Sequence, residues 1–354
     1  STFGKRNRFL MSNLLFNNAL NRIPQKTPPI WFMRQAGRYH SHYQNLKINN
    51  SFEDLCKNPK LAAQTALGPI EDFDFDVSIL FSDILFPLEA LGMDLKYNPG
   101  PVFSKFIDHS NFDELKKVEE AIIDLSFQGD ALRITRDILP KNKSLIGFVG
   151  GPWTVTSYGT GMNKGVKYKG NFKNDFIFKL LTLKIIPLLK KNIELQISSG
   201  AEIVMIFDTD ASRIGNSEDF YIYSKLVYDN LIKPFDCKVG FFAKHPFDYN
   251  FFIENINSEA NKTLSGIGFD HTFEISDWLK KTNRGFVQGN FSQDILTKPL
   301  DDVKRALDKY IEPILNLELS DRAGWVCGLG HGILKTTPEE NVSYFIKTIR
   351  ENFK

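Results

Sequence analysis

The sequence predicts an α/β protein built as a single (β/α)8 barrel, the TIM-barrel architecture, with its active site at the carboxyl ends of the strands. Short and almost continuously apolar runs recur along the chain, and most are bounded by Gly, Pro or Asp. Such runs are typical of parallel strands that are buried on both faces. Helical stretches separate them, and no linker, low-complexity tract or internal repeat interrupts the pattern. An open, doubly wound sheet is the alternative arrangement of the same elements.

Eight runs are predicted to be strands, at residues 29–33, 77–81, 145–149, 202–207, 238–242, 266–269, 285–287 and 324–327. Residues 176–198, 303–315 and 342–353 carry apolar residues at every third or fourth position, which is typical of amphipathic helices. We expect Pro187 to kink the first of these helices and Gly200 to end it. The gap between the second and third strands contains Pro99-Gly100-Pro101 and predicts an added loop or hairpin.

The charge of the chain limits its partners. Its 354 residues include 44 basic and 42 acidic ones, for a formal charge of +2. This balance argues against bulk binding to nucleic acid or to a membrane surface, so neither is expected as a partner. An apolar content of 42% is typical of a folded globular protein. We predict a catalytic barrel domain at residues 26–354, preceded by an extension at residues 1–25 that is a short helix or partly disordered.

The start of the chain leaves two interpretations open, a short amphipathic helix or the remnant of an acid-poor transit peptide. The three cysteines are widely spaced and contain no C-x-x-C pair, which does not indicate a disulfide scaffold or a zinc ribbon. They suit reduced thiols in a cytosolic protein. We expect a cytoplasmic location, with a plastid as the alternative if the transit-peptide interpretation holds.

The most distinctive segment is residues 29–39, PIWFMRQAGRY, in which two arginines stand four positions apart. If residues 34–38 form a helical turn, Arg34 and Arg38 lie on one face and can share an anion. Guanidinium groups bind carboxylates bidentately, and no acidic residue precedes Glu53 to pair with them locally. The segment therefore predicts a seat for a small molecule that bears carboxylates. Structural arginines paired with acids elsewhere in the fold are the alternative.

Functional side chains of a barrel cluster where strands end and loops begin. Polar residues follow five of the predicted strands, namely Arg34, Asp83, Tyr158, Thr209 and His331. Asp83 can simply cap the next helix, unless Ser82 does so and frees the carboxylate. Thr209 can cap a helix in the same way, and Tyr158 can be a packing residue.

His331 lies between two glycines at the mouth of the last predicted strand, which allows a ligand to approach the backbone closely. A phosphate cradle formed with residues 289–292 is the rival interpretation of this loop. His245 and Cys327 could belong to a zinc site, but no third ligand stands at suitable spacing. No metal site is therefore expected.

Taken together, the segments at residues 31–39, 81–85, 151–158, 287–290 and 329–334 resemble the motifs of the uroporphyrinogen decarboxylase family, in the same order. The resemblance extends from about residue 28 to the C-terminus. It implies a single (β/α)8 barrel that forms a homodimer and works without a metal or organic cofactor. It also implies a lyase of haem biosynthesis that removes four acetate carboxyl groups of uroporphyrinogen III as CO2, giving coproporphyrinogen III.

The resemblance assigns roles to residues of this sequence. Asp83, Arg34 and Tyr158 are the expected catalytic residues. The expected substrate-binding residues are Arg34, Gln35, Ala36, Arg38, Asp83, Tyr158, Thr209 and His331. Asp83 matches the carboxylate that faces the pyrrole N–H groups, and Thr209 stands where the family commonly has serine.

Three departures from the family pattern stand out. His40-Ser41-His42 replaces an apolar residue, Pro and Glu; Asp210 replaces an aromatic residue or His; and Lys335 replaces a frequent Pro. None removes a proposed catalytic group, so we expect activity with altered affinity.

Two other functions are weighed against the decarboxylase. A zinc-containing, corrinoid-dependent methyltransferase on the same barrel would need a His-x-Cys pair after strand five, where this chain has His245-Pro246-Phe247. A non-catalytic tetrapyrrole binder would keep the arginines but could lose Asp83, which is present.

Overall fold

The computed structural model describes residues 11–162, 168, 170–172, 175–257 and 264–354, with residues 256 and 257 described by their backbone alone. Seven parallel strands form one sheet in the order β1-β4-β5-β6-β7-β8-β9. They are β1 (Val77–Ile79), β4 (Ser144–Gly150), β5 (Val204–Phe207), β6 (Val239–Phe242), β7 (Leu264–Gly268), β8 (Phe286–Phe291) and β9 (Trp325–Leu329). Each strand pairs with its neighbours along the chain, which confirms the predicted parallel order for seven of the eight runs.

The first predicted strand, at residues 29–33, is not a strand but a single parallel bridge between Ile30 and Cys327 of β9. Pro29 has no N–H to give to a ladder, and the Ile30 N–H is taken by the Asp76 carboxylate at 2.7 Å. The segment nevertheless bonds to both edges of the sheet. The Trp31 N–H donates to the Cys327 carbonyl, and the Asp76 N–H, just before β1, donates to the Ile30 carbonyl.

Helices follow the strands as the alternating pattern predicts. They are α1 (Leu14–Leu20), α2 (Ser41–Asn49), α3 (Phe52–Lys57), α4 (Pro59–Phe73), α5 (Phe86–Ala90), α6 (Val118–Ala121), α7 (Ser126–Ile138), α8 (Pro152–Thr160), α9 (Phe176–Leu180), α10 (Ile186–Ser198), α11 (Ser217–Val227), α12 (Asn250–Asn257), α13 (Ile275–Lys281), α14 (Leu300–Leu315) and α15 (Glu339–Asn352). Helices α9 and α10 are joined by a wider π-turn, Leu181–Ile185, which ends two residues before Pro187. This turn is a local distortion of the helix next to the proline for which a kink was predicted. Gly200 follows the end of α10 with a φ of +112°, as expected of a helix-ending glycine.

The gap around Pro99-Gly100-Pro101 forms a hairpin rather than an open loop. Strands β2 (Leu95–Tyr97) and β3 (Pro101–Phe103) pair antiparallel and lie outside the main sheet. The hairpin connects β1 with β4 at the side of the sheet where β1 ends, so it is placed to contribute to a site there.

Helix α1 lies against the amino-terminal ends of the strands. The Asn13 N–H, at its start, donates to the hydroxyl of Ser144, the first residue of β4. Phe16, Ala19 and Leu20 belong to a buried cluster with residues from the strands, including Ile146. The apolar face of α1 therefore covers one end of the sheet's interior, while residues 1–10 of the predicted extension lie outside the described residues.

None of the helices that the structure describes has the length and apolar character needed to cross a membrane.

Candidate active site

A cavity of about 470 Å³ opens at the carboxyl ends of the strands. It lies where residues of the 29–39 segment, the β2–β3 hairpin and the last β-strand loop meet. Its polar and charged lining residues are Arg34, Arg38, Tyr43, Lys47, Ser82, Asp83, Tyr97, Thr209, His331 and Lys335. Aromatic side chains, among them Phe81, Phe148, Phe207 and Phe242, form much of the remaining wall. The cavity thus has the mixed apolar and polar character of a small-molecule site.

The two arginines line this cavity together, although not through the predicted helical turn. Residues 34–38 are irregular, Arg34 has a left-handed φ of +61°, and α2 begins only at Ser41. A positive φ is uncommon for a non-glycine residue, so the surrounding contacts must hold this conformation. A Cβ built on Gly332 would stand 2.6 Å from the Cδ of Arg34, which shows how closely the arginine packs on the last loop.

The Gln35 side chain holds the arginine loop rather than lining the cavity. Its amide donates to the Val77 carbonyl at 2.9 Å, and its oxygen accepts the Phe32 N–H at 3.1 Å. The side chain is 1% exposed. Both polar ends of the side chain are occupied by backbone groups, which gives Gln35 a structural role, and its expected contact with substrate stays a prediction. Ala36, in contrast, does line the cavity.

Positive charge surrounds a single carboxylate in the cavity wall. Arg34, Arg38, Lys47 and Lys335 contribute four cations, and Asp83 is the one acidic residue among the described lining residues. Such a site favours a ligand with several negative charges. The sequence argument for a carboxylate seat is thus extended by two lysines, one of which, Lys335, is a departure from the family pattern.

Asp83 makes the two alternatives that the sequence left open compatible with each other. Its Oδ1 accepts the Leu85 N–H at 2.8 Å, so the carboxylate does cap the turn that leads into α5. Ser82 does not take over this capping role, since its hydroxyl accepts a hydrogen bond from the Gln128 side-chain amide instead. A carboxylate offers about four lone-pair sites, so acceptor capacity remains for a ligand.

Burial raises the pKa of the Asp83 carboxyl above its usual range, because a charged form is disfavoured away from water. The Leu85 N–H, the Tyr97 hydroxyl and the Arg34 guanidinium oppose this rise by stabilising the charged form. The balance leaves a partly desolvated carboxylate next to a guanidinium, the kind of perturbed group that is common in active sites.

Tyr158 lies on α8 and is not part of the cavity lining, although Asp210, Arg34 and Asp83 all lie near enough to influence its titration. Burial is the main cause that raises the pKa of its hydroxyl. Helix α8 is anchored by the fully buried Asp208 at the end of β5. The Asp208 Oδ1 accepts the Thr154 N–H at 3.0 Å and the Thr154 hydroxyl at 2.9 Å. Asp208 therefore fixes the helix that carries Tyr158.

Asp208 is held by donors from two helices. Besides Thr154, the Tyr223 hydroxyl of α11 donates to its Oδ2. Burial raises the Asp208 pKa to about 6, against these hydrogen bonds, which lower it. Gly151 is required beside this carboxyl group, since a Cβ at that position would stand 2.0 Å from the Asp208 Cγ.

Thr209 lines the cavity from a 3-10 turn that follows β5. The next residue, Asp210, forms a long ion pair with Arg213 at 3.7 Å. Burial raises the Asp210 pKa, while Arg213 and Lys244 lower it. Lys244 lies two residues after the end of β6 and also influences His331, so it adds a cation near the cavity that the sequence reasoning missed. Its position at a strand end was the available signal.

His331 lines the cavity as expected, with its ring centroid 5.9 Å from that of Phe242. Burial lowers its pKa to about 4, and the nearby cations Arg34 and Lys244 add to this effect. The imidazole is therefore neutral at pH 7. It can offer a hydrogen bond to a ligand but no positive charge.

The phosphate-cradle interpretation does not fit the geometry around residues 289–292. Gly289 and Asn290 lie within β8 rather than after it. The Asn290 side-chain amide donates to the carbonyls of Asp270 and Phe273, and its backbone N–H donates to the Tyr310 hydroxyl. These donors are already occupied, so they cannot cradle a phosphate.

The zinc interpretation lacks a ligand set as well. Across the described ranges, no three His, Cys, Asp or Glu side chains are grouped so as to hold a metal ion. Cys327 is fully buried within β9, and its thiol pKa is raised well above the ordinary value by burial.

The His40-Ser41-His42 departure is absorbed by the packing around α2. The buried His40 ring bonds through Nε2 to the Asp72 carboxylate at 2.6 Å, and Glu339 lies 3.4 Å from the same nitrogen. The His42 ring packs against Gly68, where a Cβ would stand 2.2 Å from Nδ1. The histidines thus tie the arginine loop to α4 and α15 and do not enter the cavity lining.

Comparisons with known proteins agree with the geometry. The family model described as uroporphyrinogen decarboxylase matches residues 11–352. A uroporphyrinogen decarboxylase of Orientia tsutsugamushi is 35% identical over 349 residues, which cover 94% of this chain and 96% of that protein. One of Campylobacter lari is 35% identical over 353 residues, covering 96% of this chain and 100% of the relative.

The fold itself is shared with a solved methyltransferase from Methanosarcina mazei. The two structures superpose with a TM-score of 0.70 over 98% of this chain and 100% of that chain, at 18% identity. At this identity the likeness concerns the fold alone. It supports a curled parallel sheet of the barrel type.

Proposed function

Because the chain belongs to the uroporphyrinogen decarboxylase family, we propose that this cavity is where it removes the four acetate carboxyl groups of uroporphyrinogen III as CO2, giving coproporphyrinogen III. The activity places the chain among the lyases of haem biosynthesis. The observation that carries the site assignment is one carboxylate, Asp83, in a cavity lined by four cations. The substrate bears eight carboxylates around a ring of four pyrrole N–H groups, so its charges are complementary to this lining.

The lining residues divide into two sets according to what they can bind. Arg34 and Arg38, with Lys47 and Lys335, bind the carboxylates at the rim of the ring through charge-assisted hydrogen bonds. Ala36, Thr209 and the neutral imidazole of His331 complete the contacts to the substrate. Gln35 keeps the arginine loop in place from behind. The aromatic wall, including Phe207 and Phe242, packs against the faces of the macrocycle.

Asp83 accepts hydrogen bonds from the pyrrole N–H groups and centres the ring for successive reactions. Loss of CO2 leaves an electron pair that needs a sink. A pyrrole protonated at carbon supplies that sink, since it is a cation next to the departing carboxylate. The negative charge of Asp83, in a partly desolvated site, stabilises this cation electrostatically.

Arg34 and Tyr158 act beside Asp83. Arg34 stabilises the negative charge of the reacting acetate and is a poor proton donor, because a guanidinium group holds its proton throughout the physiological pH range. Tyr158 is protonated at neutral pH, since burial raises its pKa, and serves as a hydrogen-bond donor near Asp83 and Arg34. His331 is not the general acid at pH 7, because with a pKa of about 4 its imidazole is neutral there and keeps only a weakly acidic N–H.

We infer that residues 29–33 complete the barrel as an irregular eighth strand. Their hydrogen bonds to Cys327 on one side and to Asp76 on the other support this closure. We also propose that residues 26–354 form one catalytic domain, that the protein is a cytoplasmic homodimer, and that it works without a metal or organic cofactor. Sedimentation velocity tests the proposed dimer. We expect one species with about twice the 40.5 kDa mass of the chain.

The test of the site is an anaerobic assay with uroporphyrinogen III, followed by oxidation and chromatographic counting of the remaining carboxyl groups. We expect products with seven to four carboxyl groups from the wild type, and a loss of product with Arg34→Ala. Arg133→Ala is the matched control, because Arg133 is a surface arginine paired with Asp130. Full activity of Arg34→Ala would overturn the site assignment, and binding without turnover by the wild type would favour a tetrapyrrole binder.

A further inference from the structure

The β2–β3 hairpin brings a hydroxyl group to the catalytic carboxylate. Tyr97 is the last residue of β2, and it lines the cavity together with Pro99 and Gly100 of the turn and Pro101 at the start of β3. This hairpin lies outside the main sheet. Tyr97 therefore reaches the site from an insertion and not from the end of a barrel strand.

The Tyr97 ring is fixed by aromatic packing. Its centroid lies 4.8 Å from that of Phe52 and 6.2 Å from that of Phe86. Phe52 begins α3 and Phe86 begins α5, so the ring is held between two helices. Packing on both sides leaves the hydroxyl little freedom to move toward other groups.

The Tyr97 hydroxyl is buried, and no hydrogen bond of ordinary geometry reaches it in the described part of the chain, although it lies near enough to Asp83 to favour the charged carboxylate. It faces the Asp83 carboxylate, close enough for each group to affect the titration of the other. A buried hydroxyl without a partner is destabilising. The Asp83 carboxylate lines the same cavity and is the group best placed to accept a hydrogen bond from this hydroxyl.

The other groups that face Asp83 do not duplicate this contact. Arg34 is a cation nearby, while the charge of Asp83 helps to raise the pKa of the Tyr158 hydroxyl and of the buried Cys56 thiol. Glu89 and Cys56 lie near the Tyr97 hydroxyl, and both disfavour its ionisation. The phenol therefore stays protonated across the physiological range and is available as a donor.

We propose that Tyr97 is a positioning residue for decarboxylation, whose hydroxyl donates to the Asp83 carboxylate when substrate fills the cavity and holds it toward the pyrrole N–H groups. The inference rests on the proposed role of Asp83. It assigns to the hairpin a function in the reaction, namely to supply the Asp83 carboxylate with a second donor besides the Leu85 N–H.

Tyr97→Phe removes only the hydroxyl and is the direct test. Loss of one donor to a carboxylate weakens its charged form, so the acid limb of the pH profile of kcat/KM moves to higher pH by about one unit. The activity at pH 8, where Asp83 is ionised in both proteins, falls less than the activity at pH 6. Tyr43→Phe is the matched control. Tyr43 lines the same cavity, but its titration is influenced by Cys56 and Arg38 rather than by Asp83.

A second variant moves the result in the opposite direction. A 3-fluorotyrosine at position 97 is a stronger donor, so it shifts the acid limb to lower pH without loss of the ring. An acid limb unchanged in both Tyr97 variants, or shifted equally by Tyr43→Phe, overturns the inference. Asp83→Asn separates the two claims. If Asp83→Asn is inactive while both Tyr97 variants keep the wild-type profile, the role of Tyr97 fails and that of Asp83 stands.

Discussion

The side chain of Arg34 lies directly on Gly332, so that a Cβ on the glycine would stand 2.6 Å from the arginine Cδ. The contact joins the segment before β1 to the loop after β9, the two ends of the parallel sheet. Glycine is required at position 332 because any larger residue would occupy the space of the arginine that lines the cavity.

Gly332→Ala is therefore expected to weaken substrate binding with little effect on folding. The added methyl group displaces the Arg34 side chain at its Cγ, Cδ and Nε, and not a backbone segment. Loss of one hydrogen bond to a charged group costs about 1.5–3 kcal/mol, which predicts a rise in KM of roughly tenfold or more. Steady-state kinetics with uroporphyrinogen III measures the change, and an unaltered KM would show that Arg34 does not contact the substrate.

The low pKa of His331 predicts a pH dependence of stability. The native pKa is about 4, against an ordinary value of 6.5, so between these values the unfolded chain binds a proton that the native state does not. Stability then falls as the pH drops from 6.5 toward 4. We expect His331→Asn to lose less stability than the wild type over this interval in urea titrations at pH 7.5 and pH 5. His109→Asn, a change at an exposed histidine, serves as the control, and parallel losses in all three proteins would contradict the prediction.

The buried pair of Tyr223 and Asp208 predicts a cost for removing one hydroxyl. Tyr223→Phe leaves the Asp208 carboxyl with one donor fewer in a fully buried place. We expect a loss of about 1–3 kcal/mol in the free energy of unfolding, measured by denaturant titration. Tyr221→Phe on the same helix changes a residue that is 58% exposed and should cost little. Equal effects of the two substitutions would refute the importance of the Asp208 contact.

Helix α1 predicts that the start of the chain contributes to stability. Phe16 is 1% exposed and packs in the cluster with Phe286 of β8, at a ring distance of 6.3 Å. Phe16→Ala should lower the free energy of unfolding by about 3–5 kcal/mol, through lost burial and the cavity left behind. Leu14→Ala, at a position that is 69% exposed, is the control. A Phe16→Ala protein as stable as the Leu14→Ala protein would show that α1 is not part of the core.

Seven strands were predictable because parallel strands buried on both faces require continuous apolar runs, as at residues 145–149 and 238–242. The eighth run failed as a strand since Pro29 lacks an N–H and the Ile30 N–H bonds to a side chain. A pattern of apolar residues does not predict which backbone N–H groups donate to a side chain instead of to a neighbouring strand. The pairing of Asp76 with Ile30 is a contact over 46 positions and has no local signal.

The site was predictable where topology dictates it. Asp83, Thr209 and His331 follow strands, and the carboxyl ends of parallel strands meet at one face. Lys47 on α2 and Tyr97 on the hairpin enter the cavity from elements outside the main sheet, so no strand-end argument reaches them. For Gln35 the motif predicted the position of the residue but not the direction of its side chain. The side chain turns back and bonds to the backbone of Phe32 and Val77.

The central claim is that Asp83 is the carboxylate on which decarboxylation depends. Its most direct test is the rate of carboxyl loss from uroporphyrinogen III by Asp83→Asn under anaerobic conditions, with substrate binding measured on the same protein. The account predicts that kcat falls by roughly 10²–10³, the effect typical of removing one preorganised electrostatic group, while the ring is still bound by the cations of the cavity. An Asp83→Asn protein that forms coproporphyrinogen at close to the wild-type rate would contradict the account.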